Sequence, residues 1–289
     1  MIDLHTHSTA SDGSLSPAAL VRAAREQGLS ALALTDHDTL AGLEEAGEEA
    51  KKLNIRFIPG IEFEISCDKD NLTIVPPGEF HLLGLGITRP SPAFLAAVGY
   101  LARSRESRNR KILEKLEELN IRADYNELIS FAGGGSIGRP HIADLLIHYR
   151  VVKNREQAFS RYLGRGRPFY FPKEGLRFDQ AVSLIKESGA LAVLAHPLSL
   201  YVAWGRLPAL IRELTARGLD GIEAWHPIAK PRSCRRLESL GEELGLRITW
   251  GSDFHGEARP GRRLGFSAGG RKIDEAVLEA IPELAGPGT

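Results

Sequence analysis

Residues 2–62 read IDLHTHSTASDGSLSPAALVRAAREQGLSALALTDHDTLAGLEEAGEEAKKLNIRFIPGIE. Short apolar runs at Ile2 to Leu4, Ala31 to Leu34 and Phe57 to Ile61 alternate with segments of helical period at Pro17 to Gln27 and Leu40 to Leu53. That alternation is a βαβαβ rhythm. Ser16 is a good N-cap before Pro17 at the first helical position, and Gly28 suits the left-handed residue that closes a helix.

Beyond this stretch, Phe63 to Ile87 predicts paired strands around a polar turn near Asp68 to Asn71 and a second loop at Pro76 to Gly78, read as a hairpin extension. From Pro92 to Leu119 the pattern becomes one long helix with Leu95, Val98, Leu101, Ile112, Leu116 and Leu119 as apolar positions, and shorter helices follow to about Leu163. The βα rhythm then resumes, with strands at Leu191 to Ala195, Gly221 to Trp225 and Ile248 to Gly251 between helices at Phe178 to Ser188, Leu207 to Arg217 and Cys234 to Leu244. The prediction is an α/β fold, a TIM-like barrel rather than a plain doubly wound sheet. Its barrel comprises residues 1–90 and 176–289, interrupted by a helical insertion over 91–175 that covers the active site.

A chain of 289 residues with 43% hydrophobic content can bury a sizeable core. Lys and Arg balance Asp and Glu at 37 each, which argues against a broadly basic surface for long nucleic acids and leaves room for a small anionic substrate. The two cysteines, Cys67 and Cys234, are far apart, so neither a disulfide framework nor a thiolate metal site is expected. The amino terminus lacks the pattern of a signal peptide, and no apolar run approaches the roughly 20 residues that span a bilayer. The expectation is a cytoplasmic protein without membrane association, and in the absence of heptads a monomer.

Imidazoles and carboxylates follow the strands. The run IDL leads into His5 and His7, ALALT into Asp36 and His37, FIPGI into Glu62, LAVLA into His196, and ITWGS into Asp253 and His255, while His81 opens HLLGLGI. In an α/β barrel the carboxyl ends of parallel strands converge on one rim, so residues distant in sequence meet there. Two histidines separated by one residue on a strand point to the same side, and Asp253 and His255 repeat the spacing. Neutral imidazole with carboxylate suits Mn, Fe or Zn. So many ligands imply two or three ions, which together polarise phosphoryl oxygens and activate a water.

His148, in ADLLIHYR, reads as an ordinary helix-surface histidine or one with its bonds satisfied; His226, after GIEAW, reads as a strand-end residue, a cap of the loop closed by Pro227 or a residue that supports the ligands from behind, and is left out of the metal set. Asp12 in SDGS reads equally well as a turn residue. The run RSRESRNRK (103–111) reads as a solvated helix face.

At these residues the sequence resembles the polymerase and histidinol phosphatase (PHP) family, in its stand-alone nucleotide phosphoesterase branch. The resemblance rests on IDLHTHSTASDGSLSP, ALTDHDTLAG, PGIE, HLLGLGI, SIGRPHIA, YLGRGRPFY, AVLAHP, GIEAWHP and GSDFH in that order. It implies a distorted (β/α)7 barrel. It implies a first ion on His5, His7, Glu62 and Asp253, a second on Asp12, His37 and His255, and a third, sharing Glu62, on His81 and His196. The segment CDKDNLTIVPPGEF lengthens the hairpin before His81, so a shift of one residue in register would turn His81 away.

Within SIGRPHIA, Arg139 would bind a phosphate in bidentate fashion and His141 would orient a phosphoryl oxygen or protonate the leaving group, with Arg167 a further substrate contact. His196, His141 and Asp253 are the expected catalytic residues. The implied reaction is metal-dependent hydrolysis of a phosphomonoester, foremost the 3′-phosphate of a nucleoside 3′,5′-bisphosphate, with manganese the first choice of ion and Fe or Zn as alternatives. The competing activities are 5′-3′ trimming of short RNA, histidinol phosphate hydrolysis, a polymerase-associated exonuclease, and a non-catalytic binding module stabilised by metal.

Overall fold

The first crossover forms as its capping residues dictate. Helix α1 (Pro17–Glu26) starts beneath Ser16, whose hydroxyl accepts the Ala19 N–H at 3.2 Å, and Gly28 follows it at φ +82°, a value glycine tolerates without strain. The computed structural model describes residues 1–66, 71–131, 137–172 and 174–284. Strands β1 (Ile2–Asp3), β2 (Ala31–Leu34) and β3 (Arg56–Glu64) lie side by side in parallel, with α2 (Leu43–Leu53) as the second crossover.

Strand β4 (His81–Leu85) then runs antiparallel to β3 on one side and to β5 (Leu191–Leu194) on the other. Strands β6 (Gly221–Trp225) and β7 (Arg247–Trp250) continue in parallel, so the seven strands stand in sequence order. Past the ends of β1 and β7, a parallel bridge between Thr6 and Phe254 joins the two edges. His7 donates to the Phe254 carbonyl at 2.9 Å and Asp253 to that of His5 at 2.9 Å. The result is a nearly closed, TIM-like α/β barrel. The hairpin is therefore part of the barrel wall rather than an extension from it. Both strands are buried along most of their length and find partners on both sides, whereas a projecting hairpin would have left one face wet. The turn expected near Asp68 falls partly on residues 67–70, outside the described residues.

Alternation along the strands sorts the core. Ala31 and Ala33, Leu83 and Leu85, and Val193 and Ala195 turn inward, where Ile273, Leu278, Ile281 and Leu284 from the carboxyl-terminal segment pack against them. Leu32 and Leu34 turn outward beneath α1 and α2. Ile61, Phe63, Leu82 and Leu194 likewise face the outer layer of α7 (Phe178–Glu187), α8 (Leu207–Ala216) and α9 (Pro231–Glu243).

Between β4 and α7 lie α3 (Pro92–Leu116), α4 (Tyr125–Phe131), α5 (Arg139–His148) and α6 (Arg155–Ala158). The first half of α3 belongs to the barrel, with Phe94 5.3 Å from the Phe63 ring. Its second half joins a separate apolar core with Leu128, Ile142, Leu146, Leu163 and Phe169. The run over residues 103–111 is not a solvated face throughout: Arg108 and Asn109 are buried and Arg105 pairs with Asp38. The helix crosses the barrel rim at this point, so its polar side meets the rim's carboxylates instead of water. No helix among the described residues is long and apolar enough to cross a membrane.

Candidate metal centre

The backbone bends at Leu4, and the extended segment beyond it carries His5 and His7 on either side of Thr6. Their Nε2 atoms approach to 3.0 Å. Glu62, on the inward side of β3, puts Oε2 3.2 Å from His7 Nε2 and 3.4 Å from His5 Nε2. Its Oε1 lies 2.9 Å from both His81 Nδ1 and His196 Nε2. His81 reaches the same rim because antiparallel β4 begins there, and its pairing opposite Glu64 sets the inward register. His37 stands with Nδ1 3.0 Å from Glu62 Oε2, and His255 with Nε2 3.2 Å from Asp12 Oδ1.

All nine residues expected as ligands thus fall into four overlapping groups: His7, Asp12, His37 and His255; His5, His7 and Asp253; His5, Glu62 and His196; His37, Glu62 and His81. Asp253 and His255 converge by a different route from the simple strand alternation expected of them. Asp253 sits at φ +52° and His196 at φ +26°, left-handed values that cost about 1–3 kcal/mol each and persist where surrounding contacts enforce them.

The hydrogen bonds on the far side of each ring decide what the cluster is fitted to hold. His5 Nδ1 lies 3.0 Å from Glu223 Oε1, and His255 Nδ1 2.8 Å from the Asp253 carbonyl. His81 Nε2 lies 3.0 Å from Glu64 Oε2. His196 Nδ1 meets the Ser199 hydroxyl at 2.7 Å, and that hydroxyl is spent as a donor on the Glu79 carbonyl. In each case the outer nitrogen is a donor, so the inner nitrogen is the one that would offer its lone pair to an ion once any proton there is displaced, as in metal-ligating histidines. Inside, His37 Nδ1, Glu62 Oε2 and His255 Nε2 are buried without a hydrogen-bond partner. Unpaired lone pairs converging in a buried space fit divalent cations.

Charge follows the same plan. Burial opposes protonation of His5, but Glu223 and Glu62 outweigh it and raise its pKa well above the ordinary value. His7 is raised to about 9 against the same opposition, through Asp253 and Glu62. Burial likewise opposes ionisation of Glu62, and His37, His81 and His5 reverse it, so that it ionises far below the usual carboxylate range. Burial dominates at His37, pushed down to about 4.

Three residues support the ligands from behind, of which Glu223 escaped the sequence reading while Asp36 and His226 were singled out in it without this role being fixed. Glu223 holds both His5 Nδ1 and, at 2.7 Å, the His196 amide. Its signal was in GIEAW, where an acid stands inside an otherwise apolar strand. Asp36 accepts from Ser8 N–H at 2.8 Å and from the Ser8 hydroxyl at 2.6 Å, fixing the loop that carries Asp12. His226 is no bystander, since Nε2 reaches Asp253 Oδ2 at 3.2 Å while Nδ1 accepts from Ile228 N–H. His148 is exposed on α5, against the Phe131 ring.

Near the rim, α3 and α5 carry a group of cations. Arg108 is 6% exposed with Nε unpartnered, and burial together with Arg105 and Arg139 pushes its pKa down to about 9. Arg139 donates to the Leu163 carbonyl at 3.3 Å, with the Phe159 and Tyr170 rings nearby. His141 Nδ1 accepts the Gly138 N–H at 2.9 Å, which leaves its Nε2 as the protonated nitrogen in the neutral ring. Burial holds its pKa below the ordinary value. Arg167 is exposed, and among the described residues no side-chain bond ties it to the centre.

A buried cluster of nine His and carboxylate donors at the mouth of such a barrel defines a metal-dependent hydrolase. Residues 3–165 match the PHP domain model. The chain is 35% identical to a 5′-3′ exoribonuclease of Haemophilus influenzae, over 88% of this chain and 89% of that one. It is 31% identical to a 3′,5′-nucleoside bisphosphate phosphatase of Chromobacterium violaceum, over 92% and 91%. A structure from Bifidobacterium adolescentis, assigned as a metal-dependent phosphoesterase, superimposes with a TM-score of 0.81 at 27% identity, over 98% of this chain and 96% of that one. The chain belongs to the PHP domain family, as a metal-dependent phosphoesterase and so a hydrolase of phosphoesters.

Proposed function

We propose that the protein removes the 3′-phosphate from nucleoside 3′,5′-bisphosphates, using two or three divalent ions, manganese foremost, held by His5, His7, Asp12, His37, Glu62, His81, His196, Asp253 and His255. The observation that carries this reading is Arg108. A buried guanidinium with an unpartnered nitrogen, beside Arg105 and Arg139, calls for an anion apart from the one at the metal centre. A substrate with two phosphates supplies both.

The ions, when bound, would supply Lewis acidity at the phosphoryl oxygens and an activated water. Arg105, Arg108 and Arg139 bind the second phosphate and so fix the distance at which the first one sits. His141 is the proton donor to the leaving 3′-oxygen, because Nε2 carries its proton and Gly138 fixes the ring. His196, with Nδ1 committed to Ser199, offers only a lone pair inward and acts as a ligand rather than an acid. The residues over 91–175 form the cover that carries Arg139 and His141.

A second reading, trimming of short RNA from its 5′ end, has in its favour the 35% identity to the Haemophilus exoribonuclease. The deciding assay follows products of adenosine 3′,5′-bisphosphate, 5′-AMP, histidinol phosphate and a short 5′-phosphorylated RNA with manganese-loaded protein. Selective phosphate release from the bisphosphate supports the first reading. Mononucleotide release from RNA with an inert bisphosphate replaces it by the second.

A further inference from the structure

Asp253 divides its two oxygens between different tasks. Oδ1 faces the centre, 3.4 Å from His7 Nε2 and 3.6 Å from His5 Nε2. Oδ2 faces outward, where His226 Nε2 stands at 3.2 Å, Arg259 Nη1 at 2.9 Å and Arg262 Nη2 at 3.5 Å. His226 and Arg262 are packed, with side chains 3% and 16% exposed; the His226 N–H and the charge of Arg262, which also stands 3.3 Å from His226 Nε2, hold that oxygen from behind. Arg259 is different. Its side chain is 42% exposed, and beyond the contact with Asp253 it has no hydrogen-bond partner among the described residues.

The loop that presents Arg259 is anchored on two sides. Glu257 N–H donates to the Ser14 hydroxyl at 2.9 Å, beside the Asp12 loop. From the insertion, Arg155 donates to the Ala258 carbonyl at 3.2 Å while gripping Asp144 with two bonds of 2.7 and 2.6 Å. The guanidinium is thus fixed at the mouth of the centre, close enough to feel Asp12 and Glu62 as well as Asp253. One of its N–H groups is used and the rest of the fork is open, on the barrel side of the cleft rather than on the insertion side where Arg105, Arg108 and Arg139 lie.

We infer that Arg259 contacts the phosphoryl group that is hydrolysed, with His226 and Arg262 behind it as positioning residues for Asp253. A planar fork pinned at one corner can meet two phosphoryl oxygens without losing much side-chain freedom. This inference rests on the phosphoesterase assignment and is independent of which nucleotide is the substrate.

The test uses the metal-loaded full chain and inorganic phosphate as the probe. Phosphate affinity is measured by calorimetry and metal content by mass spectrometry for wild type, Arg259→Ala, Arg259→Lys and Arg262→Ala. Arg259→Ala should bind phosphate about 10-fold more weakly or worse at unchanged metal content, the scale of a charge-assisted bond. Arg259→Lys should recover part of that, having the charge without the fork, and Arg262→Ala should lower metal content instead. The inference is overturned if Arg259→Ala binds phosphate as wild type does, if its loss is matched by an equal loss of metal, or if loaded wild type binds no phosphate. A wild type inert toward adenosine 3′,5′-bisphosphate whose phosphate affinity still depends on Arg259 would sink the substrate reading and leave this one standing.

Discussion

Glu62 Oε1 lies 2.9 Å from His81 Nδ1, although the two residues stand on antiparallel strands and are separated by a long loop. The same carboxylate also meets His5, His7, His37 and His196. It takes part in two of the four ligand groups, whereas His81 takes part in one. His81→Ala should therefore lose about one ion per chain and Glu62→Gln more than one, both with circular dichroism unchanged. Metal analysis of the folded variants checks this. A full metal complement in His81→Ala would remove His81 from the ligand set.

How His81 arrives at the rim also shows where sequence reading stops. The parallel rhythm placed ligands at the carboxyl ends of strands, and His5, His37, Glu62, His196 and Asp253 obey it. His81 lies at the amino end of its strand, and it meets the others because β4 is reversed. Direction of pairing is a tertiary choice that periodicity does not encode, since alternation looks the same both ways along a strand. Glu223 was legible in principle as an acid within GIEAW, but its role depends on β6 lying beside β5, which brings it under His196. Arg108 was illegible for a related reason. A basic helical run reads as a wet face until the surface it crosses is known.

Proton release on metal binding follows from the raised histidines. With its pKa raised to about 9, His7 holds a proton at neutral pH in the metal-free protein, and His5 and His81 are raised as well. The proton on a raised histidine stabilises the metal-free fold fully below the unfolded value of about 6.5, and that stabilisation is lost as pH rises through the folded pKa. A metal must displace it, so affinity should climb with pH up to at least about 9, where His7 gives up its proton unaided. Calorimetry in two buffers of different ionisation enthalpy measures the protons released. Zero release at pH 7 would contradict the assignment of these imidazoles as ligands.

Arg108 trades stability for binding. Its charge is buried and incompletely paired, a situation that apolar replacement often relieves by about 1–4 kcal/mol. Arg108→Leu should raise the denaturation midpoint while raising KM for the bisphosphate about 10-fold or more, with a smaller effect on a substrate carrying one phosphate. Chemical denaturation and steady-state kinetics on the two substrates check the two halves separately. A lowered midpoint with KM unchanged would make Arg108 a structural residue.

Gly251 is where backbone geometry and metal binding meet most closely. A Cβ there would stand 2.4 Å from His5 Cβ and 2.3 Å from Glu223 Oε1, neither of which belongs to a flexible exposed side chain. To admit a methyl group, Glu223 must leave His5 Nδ1 and the His196 amide, stranding two buried partners of a charged group. That costs about 3 kcal/mol or more, and it frees the His5 ring to rotate its lone pair away from Asp253 and Glu62. Gly251→Ala should therefore lower the denaturation midpoint and lose metal together. Gly205→Ala, where a Cβ meets nothing within 4 Å, should stay within about 0.5 kcal/mol of wild type. If Gly251→Ala retained both its midpoint and its metal, Glu223 would not be what orients His5, and the histidine would have to be held by the ions themselves.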